Sequence, residues 1–168
     1  MAWDKITEQQ NPFSKDIDNK SIIEILNIIN NEDAKVAFAV QKSLSSIQDF
    51  IDDLVLRLIE GGRLFYIGSG TSGRLGVLDA AECPPTYSTN PEIVQGIIAG
   101  GYDALVKSIE GAEDSSSDGA LEIIENNVND KDTVLGITAS SSTPFVLGAL
   151  KKAKEIQALT GLIICNKQ

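Results

Sequence analysis

Short apolar runs alternate with helical segments after Gly61, and few folds accommodate such an alternation. Four runs have the length and the β-branched or aromatic content of buried strands. They lie near residues 63–67, 93–99, 133–138 and 161–165. Helical segments follow them, to about residue 81 and near 102–110, 115–127 and 143–158. Because such strands pair in parallel, the sequence predicts a doubly wound α/β fold with an open, mainly parallel sheet and helices on both faces.

The sheet is predicted to be preceded by a polar arm and N-terminal helices. Residues 1–19 are aperiodic, which is typical of an arm at a chain terminus. Ser21 and Glu24 have the spacing of a capping box, in which each residue binds the backbone N–H of the other. This pattern, followed by a stripe of apolar residues, predicts a helix over about 22–30.

A second helical region follows. From residue 33 to residue 60, apolar residues recur mostly at spacings of three and four, as in one long or two consecutive amphipathic helices. Gly61-Gly62 is expected to end this region. A chain of 168 residues has the size of one domain, in which we expect an N-terminal part (1–60) to pack on an α/β part (61–168).

Composition excludes several classes of function. A net charge of -10 argues against binding to nucleic acid or to an anionic membrane surface. The chain contains no histidine, which excludes Ser-His-Asp triads, Cys-His pairs and most zinc sites. Cys83 and Cys165 are isolated, as expected of free thiols in a reducing compartment. The N-terminus lacks a signal-peptide core and no apolar run reaches the length of a membrane span, so we expect a cytoplasmic protein.

Two hydroxyl-rich loops follow predicted strands. The first runs from Gly68 to Gly73, and the second runs from Thr138 to Thr143, just before Pro144. In open α/β sheets, ligands bind at the carboxyl ends of the strands, where helix N-termini present free N–H groups to anions. These loops could therefore hold a phosphate group without lysine.

Other interpretations of these loops remain open. The first loop lacks the Gly-Lys-Ser/Thr ending of a P-loop, although it matches the G-x-G-x-x-G pattern of dinucleotide-binding folds. Such a fold would require an acidic residue at the end of the next strand, where this chain has residues 97–101, Ile-Ile-Ala-Gly-Gly. Both loops could also simply cap the helices that follow them.

Glu82 is a candidate general acid. It is predicted to lie at the end of a short helix that Pro84 terminates. Both the negative end of a helix dipole and the neighbouring apolar Cys83, Pro84 and Pro85 would favour the protonated carboxyl group. A carboxyl group that stays protonated near neutral pH can donate a proton to a leaving group. A solvated surface glutamate is the alternative interpretation.

Residues 68–86, GSGTSGRLGVLDAAECPPT, resemble the signature of the N-acetylmuramic acid 6-phosphate etherases, a family with a sugar-isomerase (SIS) domain. Three further segments resemble the same family. They are residues 7–12 (TEQQNP), 95–101 (QGIIAGG) and 110–114 (EGAED). The resemblance covers nearly the whole chain and implies an SIS-type fold.

The resemblance implies a lyase that cleaves the lactyl ether of N-acetylmuramate 6-phosphate during bacterial cell-wall recycling. It implies no metal or organic cofactor, a phosphorylated amino sugar as substrate, and a homodimer. Glu82 matches the family's proton donor and Glu113 its second catalytic carboxylate. The expected phosphate ligands are the hydroxyls and amides of Thr71, Ser72, Ser140 and Thr143, with Ser69 and Ser142 near the sugar.

The chain departs from this family in two places. The family's second loop typically runs Ser-Gly-Arg-Thr-Pro, whereas this chain has serine at positions 141 and 142. Members of the family also continue well beyond the fourth strand, usually with a fifth strand in the sheet, whereas this sequence stops at Gln168. The alternative function is a non-catalytic regulatory SIS module that binds a sugar phosphate. The short C-terminal end favours the alternative, and the two glutamates favour the enzyme.

Overall fold

Short turns and two long helices form the N-terminal region. The computed structural model describes Thr7 and residues 9–166, so Glu8 of the segment 7–12 lies outside the described residues. The elements are two 3-10 turns, Pro12–Ser14 and Ile17–Asn19, followed by helices α1 (Ile22–Gln41) and α2 (Leu44–Ile59). By their internal contacts, Met1–Ile51 and Asp52–Gln168 form two units, and the second contains the sheet.

The predicted capping box is confirmed at the start of α1. The backbone N–H of Ser21 donates to Glu24 Oε2 at 2.8 Å, and the Ser21 hydroxyl donates to the same oxygen. The hydroxyl and then the N–H lower the pKa of the Glu24 carboxyl. The predicted end near residue 30 is wrong, because no glycine or proline interrupts residues 30–41 and the helix continues through them. Two helices, rather than one, therefore span the region up to Ile59.

The predicted parallel sheet is confirmed. Its strands in the described chain are β1 (Leu64–Gly68), β2 (Val94–Ile98), β3 (Thr133–Thr138) and β4 (Leu159–Ile164). They pair in the order β2-β1-β3-β4, and every pairing is parallel. The glycine stop before the sheet is also confirmed, since Gly61 adopts a φ of +84° two residues after the end of α2.

Three helices connect the strands and cover both faces of the sheet. They are α3 (Gly70–Tyr87), α4 (Ser116–Glu125) and α5 (Pro144–Glu155). The chain turns one way after β1 and the opposite way after β3, so right-handed crossovers place α3 on one face and α5 on the other. A Cβ on Gly76 of α3 would lie 2.7 Å from the Cβ of Tyr66, so the absence of a side chain lets α3 approach β1 closely.

The hydrophobic core lies on the α4 and α5 side of the sheet. Fully buried side chains of β1 and β3 meet those of the two helices there. The largest are Phe65, Ile67, Ile123, Val134, Phe145 and Val146. The helices themselves pack closely, since a Cβ on Gly119 would lie 1.9 Å from the Phe145 carbonyl oxygen and one on Gly148 would lie 2.0 Å from the Ser116 carbonyl oxygen. This packing holds the N-terminus of α5 at the carboxyl edge of the sheet.

A buried ion pair fixes the opposite edge of the sheet. Asp132, which is 1% exposed, accepts hydrogen bonds from the backbone N–H, Nε and Nη2 of Arg63 at 2.8, 3.1 and 2.7 Å. It also accepts from the backbone and side-chain nitrogens of Asn129, both at 3.0 Å. Arg57 donates to the Asp130 carbonyl beside this pair. Both arginines therefore act far from the carboxyl edge.

Two helix predictions need correction. The helix predicted to stop near residue 81 is wrong at its end, because α3 runs through Pro84 and closes only when Ser88 adopts a φ of +56°. The helix predicted over 102–110 is also wrong, because only a 3-10 turn, Tyr102–Leu105, forms there. The reason lies partly in Arg74, whose guanidinium binds the carbonyls of residues 105 and 107 that a longer helix would use internally.

One edge of the sheet is formed by β4. This strand pairs with β3, and no other strand in the part of the chain that the structure describes pairs with it. Its residues Leu162 and Ile163 are 36% and 52% exposed.

Within Thr7 and residues 9–166, no helix combines the length and apolar character needed to cross a membrane.

Candidate active site

The two hydroxyl-rich loops meet at the carboxyl edge of the sheet. β1 and β3 are neighbours, with Gly68 paired to Ile137, so the loops that follow them lie side by side. One loop leads to α3 and the other to α5, on opposite faces of the sheet. A crevice opens between such diverging connections and is the usual ligand site of an open α/β sheet.

The first loop is shorter than the predicted 68–73, because α3 begins at Gly70. Glycine shapes this connection. Gly70 begins α3 with a φ of +51°, a left-handed conformation that favours glycine. A Cβ on Gly73 would lie 2.6 Å from Ile98 Cγ1 and 2.8 Å from the Gly68 carbonyl oxygen, so a side chain there would push the helix away from the strands. The hydroxyls of Thr71 (exposed) and Ser72 (half-buried) lie in the first turn, next to N–H groups that an α-helix leaves without internal partners.

The second loop holds its hydroxyls close together. Thr138 Oγ1 and Thr143 Oγ1 are hydrogen-bonded at 2.7 Å, and Ser140 Oγ and Ser142 Oγ at 3.2 Å. Pro144 occupies the first turn of α5, as predicted. Ser141, where the related family has glycine, is not among the described residues with positive φ, so its backbone does not require glycine.

Glu113 connects the two loops. Ser69 Oγ donates to Glu113 Oε2 at 2.9 Å, and the Glu113 carbonyl accepts from the Phe145 N–H in the first turn of α5 at 3.0 Å. The structure thus brings Glu113 to Ser69, a residue 44 positions earlier. Glu113 was predicted as a site residue by resemblance only, and in the fold its side chain lies at the crevice.

A cavity of about 220 Å³ lies beside this contact. Its wall consists of the first loop, the start of α3 and the segment from Ala99 to Glu113. Arg74, Lys107 and Glu110 line it together with Ser69 and Glu113. Arg74 and Lys107 were not predicted as site residues, although both line the cavity. Arg74 lies within the segment 68–86 that resembled the etherase signature, whereas no pattern marked Lys107.

Arg74 shapes the cavity rather than filling it. Its Nε donates to the Leu105 carbonyl at 3.1 Å, and its Nη2 donates to the Lys107 carbonyl at 2.9 Å. These bonds tie the segment that leads to Glu113 against α3. A guanidinium group can bridge two carbonyls in this way because its donors are fixed in one plane.

Glu82 lies apart from the Ser69–Glu113 contact within one chain. It follows Gly70 by twelve positions along α3, or about 18 Å at the rise of an α-helix. Glu82 is exposed, as are Leu75 and Leu78 on the same side of the helix. The apolar surroundings that the sequence predicted for Glu82 are therefore not found among the described residues.

Tyr66 and Cys83 lie beside Asp79 of α3, and Cys165 directly follows β4. Burial, a hydrogen bond to Asp79 and the charge of that carboxylate raise the pKa of Tyr66, so its phenol stays protonated. Burial, followed by the charge of Asp79, raises the pKa of the Cys83 thiol, which donates to the Asp79 carbonyl. Cys83 and Cys165 are free thiols, as predicted. In the described part of the chain, no group of three acidic or cysteine side chains is placed to hold a metal ion.

Comparisons with known proteins support the fold and the resemblance to N-acetylmuramic acid 6-phosphate etherases. The N-acetylmuramic acid 6-phosphate etherase from Clostridium acetobutylicum is 54% identical over 98% of this chain, and the match covers 54% of the etherase. The etherase from Bacteroides fragilis is 51% identical over 96% of this chain, and the match covers 57% of that etherase. The chain thus spans about half the length of the curated relatives it matches.

A solved structure of a phosphoheptose isomerase from Francisella tularensis is similar in fold, with a TM-score of 0.63 at 17% identity over 86% of this chain and 75% of the isomerase. The model of the glucokinase regulatory protein N-terminal SIS domain matches residues 46–154, which include the crevice, Glu82 and Glu113. Because that match covers more than half of the sequence, the protein belongs to this SIS-domain family.

Proposed function

We propose that this protein cleaves the D-lactyl ether of N-acetylmuramate 6-phosphate, giving N-acetylglucosamine 6-phosphate and D-lactate. The observation that carries the proposal is the placement of Glu113 at the crevice, in a chain half identical to N-acetylmuramic acid 6-phosphate etherases. In this proposal the protein acts in the cytoplasm, in amino sugar catabolism that recycles bacterial cell wall.

The phosphate would bind at the carboxyl edge of the sheet. Helix N-termini favour anions because their first N–H groups are unpaired and their dipoles point a positive end outward. The proposed ligands are the hydroxyls and amides of Thr71, Ser72, Ser140 and Thr143, with Ser69 and Ser142 near the sugar. The half-buried positions of Ser72, Ser140 and Thr143 at two adjacent helix starts support this assignment.

Glu113 would act as the base. In the open-chain sugar, the proton on C2 lies next to an aldehyde and is acidic enough for a carboxylate to remove it. The Ser69 hydroxyl donates to Glu113 Oε2 and so orients the carboxyl group that would take up the C2 proton. Loss of the C2 proton and cleavage of the C3–O bond leave a C2=C3 double bond conjugated to the aldehyde.

Glu82 would act as the acid. Its protonated carboxyl group delivers a proton to the departing ether oxygen, so that D-lactate leaves with a neutral hydroxyl group. Water then adds to C3, and a proton returns to C2, which completes N-acetylglucosamine 6-phosphate. Two carboxyl groups of opposite protonation supply all the acid–base chemistry, which a chain without histidine requires.

The position of Glu82 favours a homodimeric enzyme. Because about 18 Å of helix separates it from the first loop, Glu82 of one copy would face the crevice of the other. Mixing the inactive variants Glu82→Gln and Glu113→Gln would then restore activity, to about a quarter of wild type, since half of the dimers carry one intact site. Mixtures that stay inactive while forming mixed dimers would contradict this arrangement.

Isotope exchange and lactate release separate the two roles. We expect Glu82→Gln to stop D-lactate release while solvent deuterium still exchanges into C2, and Glu113→Gln to stop both. Glu125→Gln, an exposed change on α4, is the matched control and should affect neither. Loss of C2 exchange in Glu82→Gln would refute the assigned roles.

A second candidate function is a regulatory module that binds a sugar phosphate without turnover. The match to the SIS domain of a regulatory protein favours it. Calorimetry with N-acetylmuramate 6-phosphate and an enzymatic assay for D-lactate discriminate between the candidates. Binding without D-lactate would favour the module, and D-lactate formation would favour the enzyme.

A further inference from the structure

Lys107 is the lysine that lines the cavity beside Glu113. It lies in the turn after the 3-10 segment, where its carbonyl accepts from Arg74 Nη2 at 2.9 Å and its N–H donates to the Asp103 carbonyl at 3.0 Å. The backbone of Lys107 is thus fixed on two sides, while its side chain is exposed. Its ammonium group can move on a flexible four-carbon stem over a defined anchor.

The other charged groups of the cavity are already engaged. Arg74 donates to two backbone carbonyls. Glu110 accepts from the Ser108 hydroxyl at 2.8 Å, and Glu113 accepts from the Ser69 hydroxyl at 2.9 Å. Among the residues that the structure describes, the Lys107 ammonium has no hydrogen bond or ion pair. Lys107 lines the cavity, so in a chain of net charge -10 its ammonium group is available to an anionic ligand bound there.

We propose that the Lys107 ammonium binds the carboxylate of the lactyl group and makes the site selective for the ether substrate over the sugar phosphate product. This inference rests on the proposed function. The substrate carries two anions, and the phosphate at C6 is assigned to the helix N-termini. The lactyl group is attached to C3, next to the C2 atom on which Glu113 acts, so its carboxylate lies on the Glu113 side of the site.

Electrostatics give Lys107 a specific task at that position. The lactyl carboxylate and the Glu113 carboxylate carry the same charge and would repel each other across a few ångströms. The ammonium group of Lys107, a residue that lines the same cavity, would offset this repulsion and hold the leaving group in place. The product sugar has a hydroxyl group at C3 and gains nothing from the cation.

Binding measurements with substrate and product test the proposal. The Glu82→Gln background prevents lactate release, so calorimetry can give Kd values for both N-acetylmuramate 6-phosphate and N-acetylglucosamine 6-phosphate. Lys107→Met keeps the length of the stem and removes the charge. We expect it to weaken binding of the ether substrate about fivefold and binding of the product less than about twofold, as for one exposed ion pair.

Two further variants serve as controls. Lys107→Arg retains the charge and should restore most of the substrate affinity, while Lys131→Met, an exposed change at the opposite edge of the sheet, should leave both Kd values unchanged. Unchanged product affinity in Lys107→Met also shows that the variant is folded.

If Lys107→Met weakened binding of substrate and product equally, Lys107 would act on the phosphate and the proposal would be overturned. Unchanged Kd values for both ligands would also overturn it. If the Glu82→Gln background carrying native Lys107 bound neither sugar phosphate, the proposed function itself would fail.

Discussion

Arg74 is expected to control the local stability of the segment that carries Lys107 and Glu113. Its guanidinium bridges the carbonyls of Leu105 and Lys107, at 3.1 and 2.9 Å, and no strand or α-helix otherwise orders residues 106–113. Replacement by lysine keeps the positive charge but cannot bridge both carbonyls. The change therefore removes one hydrogen bond with a charged donor.

Such a bond contributes about 1.5 kcal/mol, at the lower end of its range because Arg74 is only half-buried. If the loss acts on local opening, amide hydrogen exchange should accelerate about tenfold in this segment. The reporters are the N–H groups of Val106 and Lys107, which both donate to the Asp103 carbonyl. Amides within β1 and β3 should keep their exchange rates, because their opening does not involve Arg74.

Arg57→Lys is the matched control, since it is the same chemical change next to Asp130 at the opposite edge of the sheet. It should leave the Val106 and Lys107 amides unaffected. The reasoning would be refuted if Arg74→Lys changed these two amides by less than about twofold, or if it accelerated exchange equally throughout the sheet. The latter result would mean that Arg74 contributes to global rather than local stability.

Two further predictions concern stability. Asp132→Asn should lower the free energy of unfolding in urea by about 3 kcal/mol, because it leaves the half-buried Arg63 without its counter-charge. The control Asp130→Asn, at an exposed position nearby, should lower it by less than about 0.5 kcal/mol. A loss below about 1 kcal/mol for Asp132→Asn would contradict the importance of this pair. Burial, followed by the charge of Glu125, raises the pKa of Glu122, so the folded state binds its proton more tightly than the unfolded state does. Glu122→Gln should therefore raise the free energy of unfolding at pH 7. This gain should shrink as the pH falls below the ordinary carboxyl pKa, because the glutamate is then protonated in both the folded and the unfolded state. If urea unfolding gave the same difference between variant and wild type at pH 7 and at pH 4, the result would argue against this reasoning.

The sheet could be predicted because each strand is signalled locally. Four apolar runs bounded by glycine or polar residues, and the glycine stop at Gly61, depend only on neighbouring residues. The error over residues 102–110 has a non-local cause, since the side chain of Arg74 competes for the carbonyls that would extend the helix. The error at Pro84 arose because the rule that proline ends a helix is a tendency, which packing of α3 on β1 and β2 overrides.

The candidate site could be predicted in its parts but not in its arrangement. The hydroxyls of the two loops stand out in the sequence because they follow strands, yet only the strand order shows that the loops are neighbours. The contact between Ser69 and Glu113 depends on a crossover of 44 residues that no local pattern encodes. Lys107 was missed because a single lysine among 14 basic residues carries no signal until a cavity is found around it.

The exposed edge of β4 has a practical consequence for experiments on this chain. Among the described residues β4 pairs with a strand on one side only, so N–H and C=O groups on its other side have no strand partner there, and the exposed Leu162 and Ile163 add apolar surface beside them. Such an edge can template a strand from another molecule, which leads to self-association that grows with protein concentration. Dilute samples checked by light scattering would keep measured affinities and exchange rates free of this effect.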